Sequence, residues 1–271
     1  MNSRALRYQS LAYRVSAVAV NGLNPATWPY YWERLKRRAK GEGPRHLPRE
    51  AVLEVYGAAF TDVDTALRRI GLSGSLEDPR DAYPSDFAAA ERRIASLHIP
   101  FAQLGIAGSG DLTLLHSVAR ALQPSRMLET GVALGWSSLV MLKAAQAFAG
   151  HVVSIDLPYP FLRGGGWVGA AVPPELHGYW NLLRTSDRLG LPTVAKEDAF
   201  DLIHYDSDKT DAARRWAYPL LWRALAPGGV LISDDVDDSP AWAEFCSEHG
   251  LPLIVVQRKK CAGIVRKNRE A

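Results

Sequence analysis

The segment Met127-Leu-Glu-Thr-Gly-Val-Ala-Leu-Gly-Trp-Ser-Ser138 constrains the fold of this chain more than any other. A short apolar run meets an acid, two glycines stand four residues apart, and a helix-forming run begins at once. A strand that turns through glycine into a helix leaves N–H groups free and the backbone unobstructed at the turn. Some ~20 residues later, Val152-Val153-Ser154-Ile155-Asp156 reads as a second strand ending in an acid. A carboxylate at that place suits a ribose, so the unit reads as a βαβ device for an adenosine-containing ligand.

The second half of the chain repeats this alternation. Leu112, Leu115, Val118, Ala119 and Leu122 mark an amphipathic helix that Pro124 ends. Strands are expected at 126–129, 152–156, 200–206 and 230–233, and another at 181–187 runs into a polar turn. Helices are expected at 136–148 and at 211–226, the second kinked by Pro219. The run Pro227-Gly228-Gly229 reads as a turn, and Ser239 with Pro240 as the start of a last helix. Strands alternating with helices imply a parallel sheet with right-handed crossovers. The runs 253–256 and 263–265 stand too close for a helix between them. They must pair as a hairpin, with one strand antiparallel to the rest.

The spacing Glu129-x-Gly131-x-x-x-Gly135 lacks the middle glycine of a dinucleotide fingerprint, position 133 being alanine. It instead resembles the first motif of the class I S-adenosylmethionine (AdoMet) methyltransferases. The resemblance covers roughly residues 105–267, leaving the first hundred residues outside it. It implies an α/β, Rossmann-like fold, with a mostly parallel seven-stranded sheet and a terminal antiparallel hairpin. A helical N-terminal extension, 1–104, would precede the AdoMet domain, 105–271, and serve substrate or oligomer contacts. The resemblance further implies cofactor contacts at Glu129, Gly131, Gly135 and Ser137, a ribose contact at Asp156, and adenine-side contacts at Ser186 and Asp187.

Chemistry in open α/β sheets sits beyond the carboxyl ends of the strands. Two acidic groups fall there, Asp206-Ser207-Asp208 and Asp234-Asp235. Clustered carboxylates repel, which raises their pKa values or recruits a hard cation such as Mg²⁺. This half is similar to metal-dependent sugar and antibiotic O-methyltransferases, which read D-G-D-H and later P-G-G…D-D. That similarity implies a Mg²⁺ site at Asp206, Asp234 and Asp235, with Asp206 or Asp208 accepting the proton. The chain departs from the pattern at Ser207 and Lys209, and the lysine puts a positive charge where it could replace or compete with a metal. His204 reads as a core residue, and Asp198 and Asp201 as turn and strand-start residues.

Other features bound the reading. Residues 1–50 hold ten Lys/Arg against three Glu, and the cluster 34–40 reads as a solvated helix face because no nucleic-acid module accompanies it. No apolar run reaches the roughly 20 residues of a membrane span, and no cleavage site follows the start. Cys246 and Cys261 lack metal-ligand spacing, so a reducing cytoplasm is expected. Glycines and aromatics from Pro158 to Trp180 suggest either a flap over the acceptor or an ordered surface loop. The expected activity is O-methylation of a small hydroxylated molecule, a sugar or natural product. The rivals are a nicotinamide-dependent oxidoreductase and a non-catalytic AdoMet-fold binding protein. Whether the chain assembles with copies of itself stays open.

Overall fold

A computed structural model describes residues 47–74, 76–99, 108–157 and 166–268, together with Trp28, Trp32, Lys36 and Ala39. The expected domain boundary at 104/105, most of the basic cluster at 34–40 and the first part of the expected flap lie outside these residues.

From residue 47 the described part runs through helices α1 (Arg49–Tyr56), α2 (Val63–Arg69) and α3 (Pro84–Ser96), with strand β1 (Phe60–Thr61) between the first two. Asp62 caps α2 by accepting from the Thr65 N–H at 2.9 Å. The regular alternation then runs α4 (Leu112–Leu122), β2 (Arg126–Thr130), α5 (Trp136–Ala147), β3 (His151–Ile155) and β4 (Trp180–Leu183). It continues through α6 (Asp187–Val194), β5 (Phe200–Tyr205), α7 (Asp211–Ala224), β6 (Leu225–Ser233) and α8 (Ala241–Glu248). The hairpin β7 (Val255–Gln257) and β8 (Cys261–Arg266) ends the chain's described part.

Among the described residues the sheet has eight strands in the order β1-β7-β8-β6-β5-β2-β3-β4. That is one more than expected, because the two-residue β1 pairs parallel to β7 through Phe60↔Val255 and Thr61↔Val256. So short a run carries no period for sequence reasoning to detect. Strand β8 is antiparallel to both β6 and β7, as the hairpin argument requires.

Successive residues of a strand point to opposite faces, and both faces are covered. Met127 and Leu202 enter a core with Leu115, Val118 and Met141, while Leu128 and Ile203 enter another with Tyr218, Trp242 and Phe245. Burial on both sides explains why these strands read as unbroken apolar runs. The first core also takes Val63, Leu67 and Phe87, so the N-terminal helices pack against the sheet. Arg266 fastens them further, donating to the carbonyls of Ile70 at 3.1 Å and Gly71 at 2.8 Å.

One local expectation is revised. Pro227-Gly228-Gly229 does not break the chain but lies inside β6, where the register against β5 shifts between Phe200 and Leu202. A bulge absorbs the residues that read as a turn. Pro219 sits inside α7, which Thr210 caps through its hydroxyl.

Candidate active site at the carboxyl edge of the sheet

Backbone hydrogen bonds continue past the strand ends and set the site's residues in a row. Asp234 N donates to Tyr205 O, Asp206 N to Thr130 O, Gly131 N to Ile155 O and Asp156 N to Leu183 O, all at 2.9–3.0 Å. The carboxyl ends of β6, β5, β2, β3 and β4 therefore present Asp234, Asp206, Gly131, Asp156 and Arg184 along one edge.

The glycine turn is held from three sides. Gly131 has φ +86°, and a Cβ there would overlap the carbonyl oxygen of Asp206. Gly135 has φ +87° and precedes α5 directly, with the Cα of Gly169 where its Cβ would point. Both glycines thus answer to the packing of the protein itself, beyond any ligand. Asp156 fixes the loop between them: its Oδ2 accepts from the N–H groups of Val132 at 2.8 Å and Ala133 at 2.6 Å.

Asp156 is 2% exposed. Burial pushes its carboxyl up to about 6, against the lowering pull of the loop N–H groups and of Arg184. Its Oδ1 has no hydrogen-bond partner, and Arg184 Nη1, equally without one, lies 3.9 Å away. A hydroxyl between them would satisfy both. Ser186 is buried with an unpartnered Oγ, and Asp187 accepts from the Ser207 hydroxyl, which also reaches Thr130 Oγ1 at 3.0 Å. Arg184 was hidden from sequence reasoning, since nothing in an expected strand separates a ligand-facing arginine from a surface one.

Glu129 and Ser137, expected as cofactor contacts, are bonded to each other. Glu129 is fully buried, and its carboxylate accepts from Ser137 and Ser138 at 2.6 Å and from Ser154 at 2.7 Å. Trp180 Nε1 donates to Ser154 at 2.8 Å and extends the network. With both oxygens used inside the protein, the acid ties α5 and β3 to the strand that precedes the glycine turn.

The acidic constellation is only partly as expected. Asp208, expected as an alternative proton acceptor, caps the next helix turn: its Oδ1 accepts from the Thr210 N–H at 3.1 Å and hydroxyl at 2.9 Å. Asp206 faces the site, and burial and Asp234 push its carboxyl up to about 6. Lys209 Nζ lies 3.2 Å from Asp206 Oδ1 and is hydrogen-bonded to Asp235 Oδ2. Lys260, from the β7–β8 turn, donates to the same Asp235 oxygen at 3.0 Å. Asp234 is buried the other way, with His204 Nε2 3.8 Å from its Oδ2. Burial alone would lower the His204 pKa, but the Asp234 carboxylate outweighs it and raises it to about 8.

These residues do not fit a divalent ion as they stand. A hard cation needs several oxygens converging from one side. Asp235 is committed to two ammonium groups, Asp234 packs against His204, and no three His, Cys, Asp or Glu side chains among the described residues are grouped to hold a metal. The three aspartates expected as ligands share an edge without forming a cage.

The segment after β3 also differs from a flap. Trp167 is 2% exposed and packs with Val132, Leu134 and Val168, while Gly169 N donates to Ala133 O at 2.9 Å. Residues 167–172 are thus a largely buried brace on the glycine turn. Behind it, a cavity of about 580 Å³ is lined by Arg93, Val168, Val172, His177, Trp180 and Leu182 among others. None of the expected site residues lines it.

An open, mostly parallel sheet closed by an antiparallel hairpin, with a glycine turn and a strand-end acid at its carboxyl edge, is the architecture of the class I AdoMet-dependent methyltransferases. Residues 128–236 match the family model described as a methyltransferase domain. Solved structures share the fold at low identity. A cofactor-bound protein from MTB, Rv0187, is 22% identical with a TM-score of 0.51, covering 72% of this chain and 100% of that one. The O-methyltransferase TomG from Streptomyces achromogenes, involved in tomaymycin synthesis and solved with SAM, is 18% identical with a TM-score of 0.50, covering 76% and 96%. The SAH-bound Podospora anserina methyltransferase PaMTH1 is 17% identical with a TM-score of 0.50, covering 72% and 100%. No curated protein matches the chain. Among the described residues no helix is long and apolar enough to cross a membrane.

Proposed function

We propose that this chain transfers a methyl group from AdoMet to a hydroxyl oxygen of a small acceptor. The observation that carries this is Asp156, with one carboxylate oxygen fixed on the glycine-turn amides and the other unpartnered toward the cofactor side. A ribose hydroxyl donating to Oδ1 satisfies a buried acceptor that otherwise costs about 1–3 kcal/mol. Ser186 offers its unpartnered hydroxyl, and Asp187 its carboxylate, on the adenine side. When bound, AdoMet supplies an electrophilic methyl group on sulfur. The solved neighbours named with SAM or SAH support that choice of cofactor, and the TomG name supports oxygen as the acceptor atom.

The chain's own residues then orient the acceptor and take its proton. Asp206 is the proton acceptor: it stands beside the glycine turn, and its Oδ1 lies near Lys209 yet outside hydrogen-bond geometry. Holding the two reactants in line supplies much of the acceleration. A Mg²⁺-assisted version would need Asp206, Asp234 and Asp235 on one ion, and Asp235 is instead paired with Lys209 and Lys260. Cys246 and Cys261 are both buried and unpaired, which suits action in a reducing cytoplasm.

Calorimetry with AdoMet and with NAD, followed by transfer of labelled methyl to a panel of hydroxylated acceptors, tests the reading. AdoMet binding that Asp156→Ala abolishes is expected. Binding of NAD in place of AdoMet would overturn it in favour of an oxidoreductase.

A further inference from the structure

The turn after β6 splits its two acids. Asp235 has φ +52°, a left-handed conformation that sends successive side chains apart. Asp234 lies against His204 and the bare α-carbon of Gly110, where any Cβ would overlap its Oδ2. Asp235 goes outward to the site. Arg214, fully buried beneath, donates to the carbonyls of Asp234 at 3.3 Å and Asp235 at 2.6 Å, and so fixes the split.

Two ammonium groups occupy the space this leaves. Lys209 bridges Asp206 and Asp235 from the β5 end, and Lys260 reaches Asp235 from the terminal hairpin. The paired carboxylates are mostly shielded, at 18% and 14% exposure, which keeps these ion pairs out of the regime where solvent cancels them. The Asp206 and Asp235 carboxylates thus face two ammonium groups, while the neighbouring Asp234 faces the His204 ring. A divalent ion entering here would have to displace or repel both lysines.

Building on the AdoMet reading above, we propose that Lys209 and Lys260 are the resident cations of this site, holding Asp206 and Asp235 as a divalent ion would. The chain then methylates without a metal, and its acceptor presents a single hydroxyl to an ammonium donor rather than a vicinal pair to chelate an ion. An ammonium is a hydrogen-bond donor of one charge, and it orients one oxygen where a metal gathers several.

The test uses the full chain, with Mn²⁺ followed by electron paramagnetic resonance and S-adenosylhomocysteine followed by calorimetry. The wild type is expected to show no saturable Mn²⁺ site. Lys209→Met combined with Lys260→Met is expected to gain one, since it frees Asp206 and Asp235, with circular dichroism confirming the fold. Should the double variant misfold, Lys260→Gln alone is expected to gain a weak but saturable Mn²⁺ site absent from the wild type. A stoichiometric Mn²⁺ site in the wild type, lost in Asp235→Asn, would overturn the proposal. So would folded lysine variants that take up no Mn²⁺. Failure of S-adenosylhomocysteine to bind the wild type would count against the cofactor reading, while the Mn²⁺ result still decides the lysine assignment.

Discussion

Asp156 holds Ala133 in place: its Oδ2 accepts from the Ala133 N–H at 2.6 Å, across the turn from strand β2 to helix α5. Ala133 needs that hold, because its φ of +47° is a conformation that L-residues adopt at a cost. The carboxylate therefore shapes the turn before any ligand arrives. Asp156→Asn keeps the size but puts an amide donor against backbone donors, or loses the charge on the ribose side. Charge-assisted bonds of this kind contribute about 1.5–3 kcal/mol, so affinity for S-adenosylhomocysteine is expected to fall about 10- to 100-fold in calorimetry.

Gly131→Ala tests whether the turn is limited by the protein or by the ligand. The left-handed backbone alone costs an alanine about 1–2 kcal/mol. The Cβ must also push aside the Asp206 carbonyl. A lowered denaturation midpoint is expected in the absence of cofactor, in urea titration of the free chain. Unchanged stability with impaired cofactor binding would place the constraint in the ligand instead.

Glu129→Gln separates a structural acid from a cofactor ligand. Three serine hydroxyls donate to this carboxylate, and an amide would turn one NH₂ group onto a hydroxyl. Stability should drop by about 1–3 kcal/mol. The affinity for S-adenosylhomocysteine should change far less than in the Asp156 variant. Comparable losses of affinity in both would return Glu129 to the cofactor shell.

His204 gives the fold a pH-dependent contribution. Its pKa rises from 6.5 to about 8, so the folded state favours the protonated ring. The stabilisation is full below pH 6.5 and is lost as pH climbs to about 8. A shift of this size corresponds to about 2 kcal/mol. Denaturant titrations of wild type and His204→Gln at pH 6 and pH 9 should therefore differ most at the lower pH. An equal gap at both would mean that the ring stays neutral.

Trp167→Ala should damage the core more than the acceptor site. The indole is buried against Val132 and Leu134, and such truncations cost about 3–5 kcal/mol. The readout is the unfolding midpoint of the free chain, where a mobile flap would leave no trace.

The sequence made the edge legible because its signals are local. Gly131, Gly135 and Asp156 lie within one βαβ unit, and their spacing alone places them on a turn and a strand end. The direction of each side chain was not legible. Asp208 closes on Thr210 two residues away, and Asp234 diverges from Asp235 through one left-handed residue. Glu129 satisfies a motif yet is consumed by serines that only packing brings together. Lys260 was out of reach altogether, because it meets Asp235 only once the hairpin has folded back along β6. Strand β1 was missed for the opposite reason, being too short to carry a pattern and present only because β7 offers it an open ladder.

That small strand bears on how the protein can be handled. Pairing of Phe60 and Thr61 with Val255 and Val256 covers what would be a bare apolar margin of the sheet. An unpaired margin of this kind recruits strands from other chains. A fragment cut at residue 105 keeps the glycine turn and every carboxylate of the site, yet it begins with β7 uncovered and Arg266 without its tether. Poor expression or precipitation of such a fragment would report a lost selvedge rather than a failed catalytic fold.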